Sequence, residues 1–335
     1  MIDLSIVIVN YKTPALVLDC LHTVYTQTND LDFEVFVVDN ASGDDSRKLI
    51  LQAYPGVRWV QMDYNAGFAR ANNAAIRMAQ GSSVLLLNSD TLVEENAIAG
   101  CYRSFAASSL VACGVQLLNT DRTPQITGNY FMKGGLNYLL PLPFMGSWIK
   151  AIAGLMNVKK PHVPEASSMV EVDWINGAFL MVKKAAIEKA GLLDEDFFLY
   201  SEEAEWCSRL RRLGPIGVYG QFHVIHLQGA SANDTFVSEG KGYYNLYDRK
   251  GLQIMLSNFV RIRKQFGRAW FGVQLFFYWL EVPVFFLGLC FRRGDRSDRR
   301  GLSWKDFRNY CRNVGYILRT SPVIWQNKPY FYKVL

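Results

Sequence analysis

The segment Val84-Leu85-Leu86-Leu87-Asn88-Ser89-Asp90 is an apolar run that changes abruptly to polar side chains. A run of this kind is typical of a buried parallel strand, and α/β sheets bind their ligands at the ends of such strands. If the segment is extended, Asn88 and Asp90 lie on one face, because side chains two residues apart point the same way. A carboxylate there can hold a divalent cation, and the cation can hold a diphosphate. The triplet alone also fits an ordinary turn, so its interpretation depends on the surrounding sequence.

Three further apolar runs of strand length precede this segment, and stretches with helical spacing separate them. The predicted strands are Ser5–Asn10, Glu34–Asp39 and Val57–Gln61, and the predicted helices are Ala15–Tyr25, Ser46–Ala53 and Ala69–Ala79. This alternation predicts an α/β fold with a mainly parallel, doubly wound sheet. The first strand–helix loop has no GxGxxG pattern, which disfavours a dinucleotide-binding oxidoreductase.

The length of 335 residues allows one large α/β domain and a smaller appendage. We expect the α/β domain over residues 1–235 and a helical C-terminal region over residues 236–335. Within the first domain, residues 120–168 combine glycine, proline and large apolar side chains without a regular period. So long an excursion is more often a binding loop than a spacer, and we expect it to contact a substrate.

A nearly apolar run over residues 270–291 is long enough to span a bilayer, although Gln274, Glu281 and Pro283 interrupt it. Between Arg261 and Arg312 there are twelve Lys/Arg against four Asp/Glu, within a chain of net charge +6. Basic clusters on both sides of the run give no orientation under the positive-inside rule. They favour a helix lying in the membrane interface or a re-entrant hairpin bent at the proline; a true span and a buried helix are the alternatives.

The basic excess predicts an anionic membrane surface as a partner. Nucleic acid is disfavoured, because the basic residues bracket an apolar run instead of lining a groove with exposed aromatic side chains. The six cysteines are scattered without a CxxC pair, as expected for reduced thiols. The apolar run after Met1 is a short strand without a cationic region before it, so no signal peptide is expected. We therefore expect a cytoplasmic protein, peripherally associated with the cytoplasmic face of the membrane.

Seven motifs follow one another between Leu4 and Ser231. They are SIVIVNY, VVDNAS, NAGFARANN, LLLNSD, VDWINGAFLMVKK, LLDEDFFLYSEEAEWCSRL and HVIHLQGAS. In this order they resemble the family-2 glycosyltransferases of GT-A fold, and within them the rhamnosyltransferase-like branch. The resemblance implies a metal-dependent, inverting transfer of a sugar, with rhamnose from dTDP-rhamnose as the expected donor. The implied acceptor is a lipid-linked or growing bacterial surface glycan, and the oligomeric state is left open.

The resemblance implies a Mg²⁺ or Mn²⁺ ion held by Asp90, the last residue of a DxD-type triplet. The first position is Asn88, which can donate a hydrogen bond but adds no charge. His226 is implied as a second metal ligand through a neutral imidazole, with His223 as the nearby alternative. The base that takes the acceptor hydroxyl proton is implied at Glu203, with Glu202 as the alternative, because glutamates replace aspartates in the family's E-D-x-D segment. A solvated acidic helix start is the other interpretation of these glutamates.

The donor nucleotide is expected at the ends of the first strands. Asn10 and Tyr11 lie at the end of the first predicted strand, where a base or ribose would lie. The resemblance implies that Asp39 binds the pyrimidine ring. The other residues that it implies are Asn65, Gly67 and Arg70 on the donor side, and Trp174, Asn176, Gly177 and Glu205 on the acceptor side.

Two other functions remain open at this point. A nucleotidyltransferase shares the parallel sheet and the metal–diphosphate chemistry, but it would require a Gly-rich phosphate loop near the N-terminus, which the sequence lacks. A catalytically inactive nucleotide-sugar-binding or scaffolding protein is suggested by the asparagine at position 88 and the glutamate at position 203.

Overall fold

The computed structural model describes residues 2–156, 158, 160–227, 245–291 and 302–334. The predicted domain boundary after residue 235 and the arginines between residues 292 and 300 lie outside the described residues. The chain divides into two compact units. The first takes in the described residues of Met1–Phe131, His162–Phe198 and Glu202–Ala232, and the second those of Met132–Pro161, Leu199–Ser201 and Asn233–Leu335.

The first unit contains a nine-stranded sheet and a small two-stranded sheet. The strands are β1 (Leu4–Asn10), β2 (Phe33–Asp39), β3 (Arg58–Gln61), β4 (Ser83–Asn88), β5 (Thr91–Val93), β6 (Ala112–Leu118), β7 (Gly128–Asn129), β8 (Met169–Val172), β9 (Trp174–Ile175), β10 (Phe179–Lys183) and β11 (Ile216–His226). The large sheet has the order β3-β2-β1-β4-β10-β6-β11-β5, with β8 paired to β11, and β7 pairs with β9.

The first four strands are parallel and in a register that aligns their carboxyl ends. Asn10 of β1 lies beside Asp39 of β2, and Asp39 lies beside Gln61 of β3. On the other side of β1, Val9 pairs with Asn88 of β4. The predicted α/β fold with mostly parallel strands is confirmed. Strand β10 runs antiparallel between β4 and β6, and β5 and β8 pair antiparallel with β11, so the sheet is mixed.

Six helices belong to the first unit. They are α1 (Pro14–Gln27), α2 (Ser46–Ala53), α3 (Gly67–Ile76), α4 (Ala97–Ala106), α6 (Lys184–Ala190) and α7 (Glu202–Leu210). Both faces of the central strands are covered. In β4, Leu85 and Leu87 belong to one buried cluster, and Val84 and Leu86 belong to another. Burial on both faces is why this strand is continuously apolar instead of alternating.

The second unit is helical. It contains a 3₁₀ segment (Lys133–Leu139) and the helices α5 (Met145–Leu155), α8 (Arg249–Cys290) and α9 (Trp304–Gln326). Helix α8 is interrupted at Gly267, whose φ is +87°, and it begins at Asp248, whose side chain accepts a hydrogen bond from the Gly251 amide. It continues through Pro283, so residues 270–291 do not form a hairpin bent at that proline.

The polar residues that interrupt the apolar run are buried within this unit and bind backbone groups. Gln274 Nε2 donates to the carbonyl oxygens of Gly134 and Gly135 at 3.0 and 2.7 Å. The Glu281 carboxylate accepts from the amides of Phe144 and Met145 at 2.7 and 3.0 Å, at the N-terminus of α5. A carboxylate at this end satisfies amides that have no partner inside the helix, and it complements the helix dipole.

The outer face of α8 is apolar and exposed. Phe276 and Trp279 are each about half exposed, as are Phe286 and Leu287, which lie about one turn beyond the proline. By length and composition, α8 is the one helix of the described residues that could cross a membrane. The sequence pattern predicted this apolar segment but not that its polar residues turn inward.

Candidate functional site

At the carboxyl edge of β1, β2 and β3, the side chain of Asp39 is the centre of a hydrogen-bond network. Its Oδ1 accepts from Asn10 Nδ2 at 2.8 Å and from Ser42 Oγ at 2.5 Å. Its Oδ2 accepts from the Ser42 amide at 3.0 Å and from Gln61 Nε2 at 2.8 Å. Asp39 is 3% exposed, and an ionised carboxylate has about four acceptor positions. All four are used, so this network fixes the orientation of the carboxylate.

Of these donors, only Gln61 has an exposed side chain. A ligand can therefore reach an Asp39 oxygen by displacing Gln61 Nε2, and no buried donor then loses its hydrogen bond. Tyr11, the next residue after β1, is partly exposed, and the Lys12 ammonium lies 5.5 Å from the centre of its ring. The predicted residues Asn10, Tyr11 and Asp39 thus lie at one edge of the sheet.

The turn before α3 is built around Asn65 and Gly67. Asn65 Oδ1 accepts from Asn40 Nδ2 at 3.0 Å and from the Gly67 amide at 3.2 Å, while Asn40 Oδ1 accepts from the Ala66 amide at 2.8 Å. Gly67 has a φ of +77°, and a Cβ at this position would overlap the carbonyl group of Phe198. The glycine is required by both backbone conformation and close approach.

Replacing Gly67 with alanine is expected to destabilise the protein by roughly 3 kcal/mol or more, because strain at positive φ adds to a backbone overlap. Gly43 is a matched control, with a φ of +67° and no atom within 4 Å of a built Cβ. Gly43→Ala should cost only about 1 kcal/mol. Urea unfolding of both variants measures the difference; equal losses would show that the approach to Phe198 does not matter.

Beyond β4, the side chains of Asp90, His226 and Asn88 converge. Asp90 Oδ1 lies 3.3 Å from His226 Nε2, and Asn88 Nδ2 lies 3.4 Å from the same nitrogen. β5 pairs with the end of β11, which sets Thr91 opposite His226, and the Leu227 amide donates to the Asp90 carbonyl at 2.9 Å. Asp90 and His226 are 3% and 6% exposed.

The chemistry of these groups fits a divalent cation. A carboxylate oxygen is a ligand for Mg²⁺ or Mn²⁺, and an imidazole nitrogen can complete the shell of Mn²⁺. Asp90 follows the end of β4, and His226 is the last residue of β11. Among the described residues, no group of three or more His, Cys, Asp or Glu side chains could hold a metal. Metals that bind substrate phosphates commonly have one or two protein ligands and take their remaining ligands from phosphate and water.

The nearby thiol of Cys20 contacts two polar groups next to these residues. Its Sγ lies 3.5 Å from Thr91 Oγ1 and 3.7 Å from the Asn88 carbonyl oxygen. Complete burial raises the pKa of Cys20 to about 12, so the thiol stays protonated at neutral pH. All six cysteines lie among the described residues, and none of them forms a disulfide.

The acidic residues of the predicted catalytic segment lie in the first turn of α7. Glu202 and Glu203 are 3% and 7% exposed, so they are not a solvated acidic surface. A Cβ built on Gly177 would lie 3.7 Å from Glu203 Cβ, which places this glycine beside the glutamate. Tyr200 and Ser201, directly before α7, have φ angles of +72° and +68°. Such backbone strain in non-glycine residues is concentrated at functional sites.

Glu205 has a different environment from its neighbours. Both of its carboxylate oxygens accept hydrogen bonds from Arg209, at 2.8 to 3.1 Å. The same guanidinium donates to the carbonyl oxygens of Ala190 and Leu192 at 2.6 and 2.8 Å. Arg209 thus binds Glu205 within α7 and ties this helix to the end of α6, so the observed contacts of Glu205 are structural.

Three further predicted residues, Arg70, Asn176 and Trp174, are held by hydrogen bonds or by packing. Arg70 Nε donates to the Glu195 carbonyl oxygen at 2.9 Å, and its Nη1 donates to Tyr64 at 2.9 Å. Asn176 Oδ1 accepts from the Ala178 amide at 3.0 Å. Trp174 is partly buried in β9 and packs against the apolar cluster on one face of the sheet. Gly177 and Asn176 lie two and three residues before Phe179, the first residue of β10.

Sequence reasoning missed four polar residues of the site. They are Asn40, Ser42, Gln61 and Gln125. Gln61 could have been found, because it ends the third predicted strand just as Asp39 ends the second. Asn40 and Ser42 were visible only as turn formers. Gln125 carried no local signal, because its partner His226 is 101 residues away.

A sequence model of the family described as "Glycosyl transferase family 2" matches residues 5–166. Two curated proteins are similar to more than half of this chain. The low-salt glycan biosynthesis hexosyltransferase Agl10 of Haloferax volcanii is 27% identical over 219 residues, which cover 63% of this chain and 62% of that protein. The rhamnosyltransferase WbbL of Escherichia coli K12 is 25% identical over 210 residues, covering 59% of this chain and 74% of that protein. The chain thus spans less than two thirds of the hexosyltransferase.

A solved structure with the same fold is the mannosyltransferase PcManGT from Pyrobaculum calidifontis, in complex with GDP-Man and Mn²⁺. It has a TM-score of 0.53 and 15% sequence identity, covering 97% of this chain and 84% of that one. At this identity the likeness demonstrates the fold alone, which is the predicted GT-A fold.

Proposed function

We propose that the chain transfers a sugar from a nucleotide-sugar donor to a glycan acceptor, because residues 5–166 match the sequence model of glycosyl transferase family 2. The proposed reaction depends on Mg²⁺ or Mn²⁺ and inverts the anomeric carbon. The observation that carries the proposal is the pair of Asp90 Oδ1 and His226 Nε2, 3.3 Å apart at the end of β4. A carboxylate and an imidazole at that position suit a cation that binds the donor diphosphate.

The donor is proposed to lie across the carboxyl edge of the sheet. Asp39 accepts a hydrogen bond from the nucleobase, which takes the position of Gln61 Nε2 on Oδ2. Asp90 and His226 would hold the metal, which when bound neutralises the charge that develops on the departing diphosphate. Asn88 supports this group by donating its amide proton. Asn10, Asp39 and Asn88 lie at the aligned ends of β1, β2 and β4, which supports this placement.

Glu203 is the proposed base. It takes the proton of the acceptor hydroxyl as that oxygen attacks the anomeric carbon, and the bond from that carbon to the diphosphate oxygen breaks. The absence of a side chain at Gly177 leaves room beside the carboxylate for the acceptor. Glu202 is the alternative base, since it occupies the same helix turn and is equally buried.

The donor can be identified by thermal shift. A ligand at about 100 times its Kd stabilises the folded protein by about 2.7 kcal/mol. Among a panel of sugar nucleotides that includes dTDP-rhamnose, we expect one nucleotide class to raise the melting temperature, and to do so more strongly with Mn²⁺. A panel without any metal-dependent shift would contradict the proposal. Release of nucleoside diphosphate on adding an acceptor would then distinguish a transferase from an inactive binding protein.

We also propose that the acceptor is a lipid-linked or growing surface glycan and that the chain binds the cytoplasmic face of the membrane. The support is the exposed face of α8, where Phe276, Trp279 and Phe286 lie outward while Gln274 and Glu281 are buried. Aromatic side chains on one face and basic residues along the chain on both sides suit the membrane interface. This arrangement favours a helix lying in the interface over a helix that spans the bilayer.

In a flotation assay with vesicles of phosphatidylglycerol and phosphatidylethanolamine, we expect the protein to float with the lipid. A Trp279→Ser/Phe286→Ser double variant should stay in the soluble fraction, because the apolar area that enters the interface is lost. Met78→Ser is the matched control, since Met78 and Trp279 are both 51% exposed. Native protein that stays with the soluble fraction would contradict membrane binding.

A further inference from the structure

We infer that Gln125 is a positioning residue that fixes the His226 ring, so that Nε2 faces Asp90 as a lone-pair donor. The inference rests on the metal site of the proposed function and adds a residue to it. Gln125 follows the turn after β6 and is 7% exposed. Its backbone N–H donates to the Leu117 carbonyl oxygen at 2.8 Å. Its side chain touches both the ring and the backbone of His226.

The orientation of the Gln125 carboxamide follows from its partners. The side-chain nitrogen lies 2.7 Å from the carbonyl oxygen of His226, 3.3 Å from that of Leu118 and 2.8 Å from Asn119 Oδ1. Backbone carbonyl oxygens only accept hydrogen bonds, so the NH₂ group must be on this side. The opposite orientation would set the amide oxygen against two carbonyl oxygens in a buried site. The oxygen Oε1 therefore faces the imidazole.

The orientation of the amide in turn determines the tautomer of the ring. Gln125 Oε1 lies 3.0 Å from His226 Nδ1, and an amide oxygen only accepts. Nδ1 must carry a proton, so in the neutral ring Nε2 carries a lone pair. Metal-binding histidines in general donate their second ring N–H to such a partner, which sets both tautomer and ring orientation.

The lone pair on Nε2 leaves its contact with Asp90 without a hydrogen bond. Two acceptor atoms lie 3.3 Å apart with no proton between them in the neutral ring, which is unfavourable unless a cation binds both. Asn88 Nδ2, 3.4 Å from Nε2, is the one donor contact that this nitrogen makes among the described residues. Gln125 thus holds His226 in the state that binds a cation.

The test measures the tautomer directly, in protein labelled with ¹⁵N and ¹³C at its histidines. The chain has four histidines, and a His226→Asn variant assigns the signals. At about pH 8, where ordinary imidazole is neutral, we expect His226 to be protonated at Nδ1. Gln125→Leu should shift it toward the Nε2–H form, whereas Gln125→Glu, which keeps an acceptor for Nδ1–H, should not. A native His226 protonated at Nε2 would overturn the inference, whether or not the variants fold.

A second measurement follows Mn²⁺ alone, by the broadening of the His226 signals. Loss of such a partner typically weakens metal binding about 10- to 100-fold, so Gln125→Leu should require that much more Mn²⁺. Asn73→Ala is the control, because Asn73 is also buried but binds Leu193 and Glu195. Equal Mn²⁺ affinity in native protein and Gln125→Leu would overturn the inference. A correct tautomer without any Mn²⁺ binding would instead contradict the proposed metal site.

Discussion

Replacing Asp90 by asparagine is expected to reduce turnover at least about 1,000-fold, because a metal that stabilises leaving-group charge contributes several kcal/mol. Asparagine keeps the shape of the side chain and can still bond to its neighbours, so the fold should survive. What is lost is the only charged oxygen within 3.3 Å of His226 Nε2 among the described contacts. Mn²⁺-dependent stabilisation by the donor should disappear together with turnover, since both need the same ligand.

The measurements are nucleoside diphosphate release and the donor-induced thermal shift, each with and without Mn²⁺. Asp45→Asn is the matched control, because Asp45 is an exposed aspartate before α2. It should behave as native protein. If Asp90→Asn retains turnover while losing the Mn²⁺-dependent shift, the metal contributes to binding but not to catalysis. Unchanged behaviour in both assays would contradict the assignment of Asp90 as a ligand.

The edge of the sheet where we propose the donor site could be predicted, because the sequence pattern of each strand is recognisable without its neighbours. β1, β2 and β4 are apolar runs buried on both faces, and each ends in a polar residue: Asn10, Asp39 and Asn88. Parallel strands in one sheet must bring these ends to one edge. The resemblance to a family then gave the residues a chemical role that strand patterns alone do not provide.

The rest of the site depends on contacts between distant parts of the chain. β10 enters the sheet antiparallel between β4 and β6, and nothing in its five residues specifies that partner. Gln125 binds His226 across 101 residues, in a segment predicted only as a binding loop. Likewise, the sequence shows Glu281 only as an interruption of an apolar run. Its contacts with two backbone amides at the start of α5 explain why a carboxylate is buried there. A periodic pattern cannot encode such pairings, because they are satisfied only in the folded chain.

Replacing Glu203 by glutamine should lower kcat roughly 100- to 10,000-fold, because the amide cannot take the acceptor proton. The donor-induced thermal shift should be unchanged, since Glu203 is not among the groups that bind the diphosphate. Glutamine has nearly the same shape, so the packing of Glu203 against Gly177 is kept. The expected result is a protein that binds its donor normally and transfers its sugar slowly.

Glu202→Gln is the matched variant that decides between the two glutamates. Both side chains lie in the first turn of α7 and are buried, so their replacement by glutamine removes one buried charge from the same turn in each case. Successive residues of a helix point about 100° apart, because the helix has 3.6 residues per turn, so both carboxylates cannot face one acceptor hydroxyl equally. The variant that lowers kcat with donor binding intact identifies the base. If Glu203→Gln keeps full turnover and Glu202→Gln loses it, the base is Glu202. The catalytic carboxylate then lies one residue before the position that the resemblance implies. If both retain turnover, neither glutamate is the base.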